Sequence, residues 1–251
     1  MNRGLTSTPT GICGSDLHEY IQGPVVIPTE KRPHPITGAS LPVVLCHEFC
    51  GRLASVPDGL KGPGGAELKQ GMKVMIDPRQ NCQACTACVD MRSSNMCPSW
   101  GFLGLTGGGG GFTERCAVRA NMCYPLPDSL DLANVALIEP LAVGRRALTQ
   151  SGIAADGWSD KHVLVLGGGP IGFSVLLNLK AFGAKSTYVS EPTALRQEQC
   201  QPLATRVFNP MRESVAEECR KLTNGEGVDL VIDCAGVSKP SILPCMLFND
   251  R

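Results

Sequence analysis

The chain has 251 residues, long enough for one large domain or two moderate ones. Its 23 basic and 23 acidic residues cancel, which argues against nucleic acid or an anionic membrane as partner, and no apolar run reaches the roughly 18 residues of a membrane span. Thirteen cysteines, several of them clustered, follow a polar start with no apolar leader, which favours metal ligation in a reducing compartment and a cytoplasmic protein.

Up to about residue 145, short β-type runs alternate with Gly/Pro-rich turns. Strands are expected at 41–45, 73–76 and 112–118, with breakers at 57–65 and 107–111. The five-glycine run 107–111 reads as a shaped turn or as a merely flexible link. Such punctuation suits a β-barrel-like domain with long loops. Beyond residue 160 the pattern becomes strand 162–166, helix 171–182, strand 186–190, helix 212–222 and strand 228–234. That alternation predicts a parallel sheet with crossover helices, so the fold class is α/β with a β-rich part, divided as 1–145 and 146–251.

Within the first part, Cys82, Cys85, Cys88 and Cys97 place three thiols at steps of three and a fourth nine residues on. Four thiolates at this spacing suit tetrahedral Zn²⁺ and leave no position for water, so the ion would be structural. The flanks lack the basic clusters that a nucleic-acid-binding zinc module needs.

In the second part, Gly167-Gly168-Gly169-Pro170-Ile171-Gly172 follows an apolar strand and opens a helix. In that context Gly167 permits a tight turn, Gly169 lets the backbone approach a pyrophosphate, and Gly172 lets helix and strand pack closely. Pro170 falls in the first helical turn, where its missing N–H costs little, and the exposed amides meet phosphate. Glu191 ends the next strand at the spacing of an acid that accepts ribose hydroxyls, which favours NAD over NADP.

A second metal grouping is dispersed: Cys13, the pair His47-Glu48, and Glu139. One thiolate, one imidazole and one or two carboxylates can hold Zn²⁺ with a position left open for an alcohol or carbonyl oxygen. Spacing alone also fits an inert cysteine and a structural histidine.

Taken in order, Gly-Ile-Cys-Gly-Ser-Asp-Leu-His, His-Glu, the four-cysteine lobe, Glu-Pro-Leu-Ala-Val-Gly and Gly-Gly-Gly-Pro-Ile-Gly resemble the zinc-dependent medium-chain dehydrogenases, within them the butanediol and sorbitol (polyol) branch. The resemblance runs from about residue 11 to about residue 240. It implies a GroES-like β-barrel catalytic domain followed by a Rossmann domain, one catalytic and one structural zinc, NAD, and hydride transfer with a secondary alcohol or vicinal diol. By motif position it implies Cys13, His47 and Glu48 as catalytic-zinc ligands, with Glu139 alternative or additional. It makes Ser15 the proton-relay hydroxyl, Asp16 the carboxylate that orients the ligand histidine, His18 an extension of the relay, and Arg196 an adenosine-side contact. Family members form homodimers or homotetramers.

Several positions depart from the pattern. Cys13 comes early by about two strands, and the chain stops about halfway through the Rossmann sheet, before the usual dimer-forming strand, with 238–251 no longer resembling the family. The expectation is therefore a chain shortened at both ends, and the alternative to an enzyme is a non-catalytic remnant that keeps zinc binding. Cys46 stands where a glycine usually precedes the ligand histidine, and Cys50 replaces a small residue after it.

Overall fold

The computed structural model describes residues 4–89 and 94–236 and divides into two compact units, 1–139 and 140–251. The expectation for 238–251 lies outside the described residues.

The first unit is built on β1 (Gly4–Thr10), α1 (Gly14–Gln22), β2 (Phe49–Leu53), β3 (Lys73–Ile76), β4 (Arg79–Gln80), α2 (Thr86–Val89), β5 (Gly101–Phe102), β6 (Arg115–Ala117), β7 (Cys123–Pro125) and α3 (Leu132–Val135). Its main sheet has the order β6-β1-β2-β3-β7 with every pairing antiparallel, and β4 and β5 form a separate ribbon. Period-two alternation sets the face that is buried: in β3, Val74 and Ile76 are fully buried while Lys73 and Met75 are only partly so. Val74 and Ile76 join Phe49, Leu53 and Leu103 in one core beneath the sheet. Burying side chains of this size contributes about 1.5–3 kcal/mol each.

Two expectations for this unit need correction. Residues 41–45 form no strand, their backbone being paired in irregular loops: Leu41 N–H donates to Pro28 O at 3.0 Å, and Leu45 O accepts from Phe112 N–H at 3.2 Å, just past the glycine run. The strand expected at 112–118 is reduced to Arg115–Ala117 for the same reason. The glycine run itself is a packed element rather than a loose link. A Cβ on Gly110 would collide with the carbonyl oxygens of Leu45 and Val44, and one on Gly111 would lie 2.5 Å from Cys46 Sγ.

The second unit follows α4 (Ile138–Gln150) with β8 (His162–Leu166), α5 (Pro170–Phe182), β9 (Ser186–Ser190), α6 (Ala194–Cys200), β10 (Arg206–Phe208), α7 (Val215–Leu222) and β11 (Leu230–Asp233). All pairings are parallel in the order β10-β9-β8-β11. Val163, Leu164 and Val165 are completely buried, as expected for a strand covered on both faces. The order reverses beside β8, so the chain leaving its carboxyl end opens at the topological switch point, where such sheets bind ligands. α7 starts three residues later than expected, and the three-residue β10, on which no expectation had been placed, extends the sheet beyond β9.

Candidate functional site

Cys82, Cys85, Cys88 and Cys97 converge so that their sulfurs lie within 4.8 Å of one another. The turn that achieves this puts Gln83 at φ 58°, and Cys85 N–H donates to Cys82 Sγ at 3.4 Å, as does Cys82 N–H to Cys97 Sγ. Amides aimed at a sulfur stabilise thiolate: the N–H groups of Ala84 and Cys85 pull the Cys82 thiol down to about 6. Burial and the neighbouring sulfurs push Cys88 up to about 12. Four thiols this close cannot all ionise without a cation among them, and the donor set fits Zn²⁺.

The dispersed grouping also comes together, across 35 residues of sequence. Cys13, the residue that caps α1, His47 and Glu48 place one ligand atom each within 4.8 Å of one another. Asp16, 3% exposed, organises the approach through the backbone: its Oδ2 accepts from Cys13 N–H at 3.0 Å and its Oδ1 from Cys46 N–H at 3.1 Å. Gly11 N–H donates to Glu48 O at 2.7 Å, and a Cβ on Gly11 would strike the Glu48 carboxylate. A larger residue there would have to displace that carboxylate, a requirement that spacing does not reveal. Phe102 is a further neighbour without a signal in the sequence, its ring edge-on to His47 at 5.1 Å between centroids and 73° between planes.

The electrostatics of this cluster resist charge. Burial raises the Cys13 and Glu48 groups and lowers His47. Glu139, half-buried at the start of α4, is pushed up to about 7 by burial and then by the carboxylates of Glu48 and Asp77. It lies outside the three-residue grouping. Among the described residues, His47 Nδ1 and Ser15 Oγ are buried with no hydrogen-bond partner, and His47 Nδ1 is 3.9 Å from Asp16 Oδ1. A thiol, an imidazole and a carboxyl driven toward their neutral forms, with orphaned polar atoms beside them, fit a divalent cation, which would bring the thiol and carboxyl groups back down and accept the imidazole in its neutral form. Ser15 sits one turn before His18, which is exposed on α1.

In the second unit the glycine loop has the shape its sequence predicts. Gly167 has φ 92°, and a Cβ on Gly172 would collide with Gly167 O, so helix and strand meet at the contact only glycine permits. Gly169 caps α5, Pro170 occupies its first turn, and Ile171 follows within that turn. Space beside Gly169 is open except for the Arg196 guanidinium, 3.7 Å from where its Cβ would be. Glu191, 2% exposed, turns back onto the loop: Oε2 accepts from Gly168 N–H and Oε1 from Thr193 N–H, each at 2.8 Å. Burial opposes its ionisation, but these amides and Arg196 outweigh it and hold the carboxyl below the usual range.

Two family models match, the alcohol dehydrogenase GroES-like domain over residues 6–128 and the zinc-binding dehydrogenase over residues 170–243. An (R,R)-butanediol dehydrogenase from Neisseria gonorrhoeae is 37% identical over 94% of this chain and 64% of its own length. The crystal structure of 2R,3R-butanediol dehydrogenase from Bacillus subtilis superposes with a TM-score of 0.81 at 35% identity, covering 94% of this chain and 64% of that one. A zinc-binding dehydrogenase from Sinorhizobium meliloti 1021 bound to NADP gives 0.82 at 27% identity, covering 99% of this chain and 66% of that one. The chain thus spans slightly under two thirds of the length of these relatives. With an antiparallel sheet within the range matched by the GroES-like model and a parallel sheet around the range matched by the zinc-binding dehydrogenase model, the chain belongs to the zinc-dependent medium-chain alcohol dehydrogenases, in the branch of the butanediol and polyol enzymes.

Proposed function

We propose that this chain carries the zinc and dinucleotide sites of an oxidoreductase that moves hydride between a secondary alcohol or vicinal diol and NAD. The observation that carries the reading is the convergence of Cys13, His47 and Glu48 within 4.8 Å in the unit that also holds the four-cysteine lobe. Bound at these positions, zinc supplies Lewis acidity toward a carbinol or carbonyl oxygen and nicotinamide supplies the hydride acceptor.

The chain's own residues do the rest. Cys13, His47 and Glu48 hold the ion, with Glu139 in reserve. Asp16 fixes the backbone at Cys13 and Cys46 and so the distance between the thiol and the imidazole. Ser15 Oγ, buried beside the Cys13 thiol, takes the alcohol proton, and His18 passes it to solvent. In the second unit, Gly167, Gly169, Pro170, Ile171 and Gly172 receive the pyrophosphate at the N-terminus of α5. Glu191 offers its carboxylate to the adenosine ribose and disfavours a 2′-phosphate by like charge, while Arg196 flanks the loop. Residues 1–145 form the catalytic domain and 146–251 the dinucleotide domain. Among the described residues no helix is long and apolar enough to cross a membrane. A cytoplasmic location completes the proposal.

Two measurements test it. Metal analysis of the purified chain should find two zinc equivalents, one of which is lost in His47→Ala. NADH should bind more tightly than NADPH in fluorescence titration, and tighter NADPH binding would overturn the assignment of Glu191. Turnover of 2,3-butanediol with NAD⁺, measured in this chain and in one extended to the length of its relatives, then separates an enzyme from a zinc-binding remnant: zinc with no turnover in either favours the remnant.

A further inference from the structure

We infer that His34 is a positioning residue for the Cys13–His47–Glu48 centre, acting through Phe102; this rests on the zinc-site reading above. His34 is 7% exposed and lies in the loop between α1 and β2. Thr37 N–H donates to its Nδ1 at 3.3 Å, so Nδ1 carries the lone pair and the ring proton sits on Nε2. Nε2–H then donates to Trp100 O at 3.3 Å. The Thr37 hydroxyl donates to Thr106 O at 2.8 Å, and Thr106 Oγ1 accepts from Phe102 N–H, also at 2.8 Å. Between these contacts lies Gly101, where a Cβ would meet His34 Nε2 and Thr106 Oγ1, both at 2.5 Å. The imidazole of His34 therefore rests directly on the two-residue strand that presents Phe102.

Phe102 is what touches the metal-binding histidine. Its ring stands edge-on to His47, and the Trp100 ring packs against Phe102 at 5.2 Å. A ligand imidazole is ordinarily held in rotation by a hydrogen bond from its second nitrogen. Here His47 Nδ1 makes none among the described residues, with Asp16 Oδ1 at 3.9 Å. The aromatic edge adds a brace on the ring beside Asp16, and its own position follows from the hydrogen bonds His34 makes. The path runs from His34 to the Trp100 carbonyl, through Gly101 to Phe102, and from Phe102 to the His47 ring.

The experiment uses the whole 251-residue chain. Histidine-ring ¹H–¹³C spectra should show the His47 signals displaced in His34→Ala, in the same direction as in Phe102→Ala. They should be restored in His34→Gln, whose amide can both donate to Trp100 O and accept from Thr37 N–H. With Co²⁺ as probe, His34→Ala should weaken the equivalent held by Cys13 and His47 about tenfold, as outer partners of metal ligands commonly do. The four-thiolate cobalt bands of the lobe should stay unchanged. If His34→Ala lowers thermal stability while the His47 signals stay in place, His34 is only structural and the inference is overturned; unmoved signals in Phe102→Ala overturn it equally. Should His34→Ala fail to fold, Thr106→Val, which removes the acceptor for Phe102 N–H, is read in the same way. A wild-type chain that takes up cobalt in the lobe alone defeats the zinc-site reading, and the ring signals, which need no metal, still decide the link from His34 to His47.

Discussion

The two cysteine-containing clusters of the first unit reach similar ligand spacing by opposite routes. In the lobe, all four donors come from sixteen consecutive positions, and the turn at Gln83 with its N–H···S contacts gathers three of them locally. The other cluster draws Cys13 from the start of α1 and His47 and Glu48 from the approach to β2, and it exists only once Asp16, Gly11 and the glycine run hold those segments together. A local site depends on its metal for its shape, because the short loop has little core of its own. A dispersed site takes its shape from the surrounding fold and should survive without its ion.

That contrast is open to direct attack, most strongly at the lobe. Replacing Cys85 and Cys88 together by serine should remove one zinc equivalent and cost about 4 kcal/mol or more, since structural zinc sites contribute folding free energy outright. For a chain of this size that is roughly 10 °C or more in Tm. Calorimetry with unchanged Tm, or metal analysis with no zinc lost, would show that the four thiols are ordinary buried cysteines. His47→Ala should do the reverse. One zinc equivalent leaves, any diol turnover falls by about a hundredfold or more, the several kcal/mol of Lewis-acid stabilisation being gone, and Tm drops by only a few degrees. A collapse in Tm as large as that of the double cysteine variant would erase the distinction between the clusters.

The glycine loop of the second unit offers a sharper, steric version of the same question. Gly172→Ala drives a methyl group into Gly167 O, so the helix must shift. A cost of about 1–3 kcal/mol and loss of detectable NADH binding by titration calorimetry are expected. Retained affinity would mean that the pyrophosphate does not sit on this turn.

The smallest effect concerns Glu191. Its carboxyl titrates lower in the folded chain than in the unfolded one, so the carboxylate stabilises the fold above the ordinary range near pH 4.3, and that contribution is lost as pH falls through the lower, folded value. Glu191→Gln should therefore lower stability by about 1 kcal/mol at pH 7 and flatten the decline of stability between about pH 4 and more acid conditions. Urea midpoints measured from pH 3 to pH 7 check both; parallel curves for the two proteins would mean that the bonds to Gly168 and Thr193 do not depend on charge.

Much of the second unit could be read from periodicity because its interactions are local or uniform. The continuous apolar run of β8 reports burial on both faces, and the glycine turn follows from strand, loop and helix in sequence. In the first unit the same approach misplaced a strand, since the apolar residues 41–45 lie in a loop whose Leu45 carbonyl is satisfied by Phe112 N–H, 67 positions away. Helix α1 shows the limit more sharply. It buries Asp16 and Glu19 and leaves Leu17, Tyr20 and Ile21 more than half exposed. No amphipathic pattern predicts that face, because what turns it inward is hydrogen bonding: Asp16 takes the amides of Cys13 and Cys46, and Glu19 takes those of Val25, Val26 and Ile27.

Residue chemistry and spacing alone identified the four-thiolate lobe, the glycine turn with its acid nineteen residues on, and the order of motifs that marks the family, because each depends on neighbours a few residues apart or on residue type. Only the tertiary structure brought Cys13 to His47 and Glu48, kept Glu139 out of that group, turned Glu191 onto Gly168, and set Phe102 against the His47 ring. Those relations depend on where distant segments cross, and crossing is decided by packing and by the pairing of buried amides, which no short stretch of sequence contains.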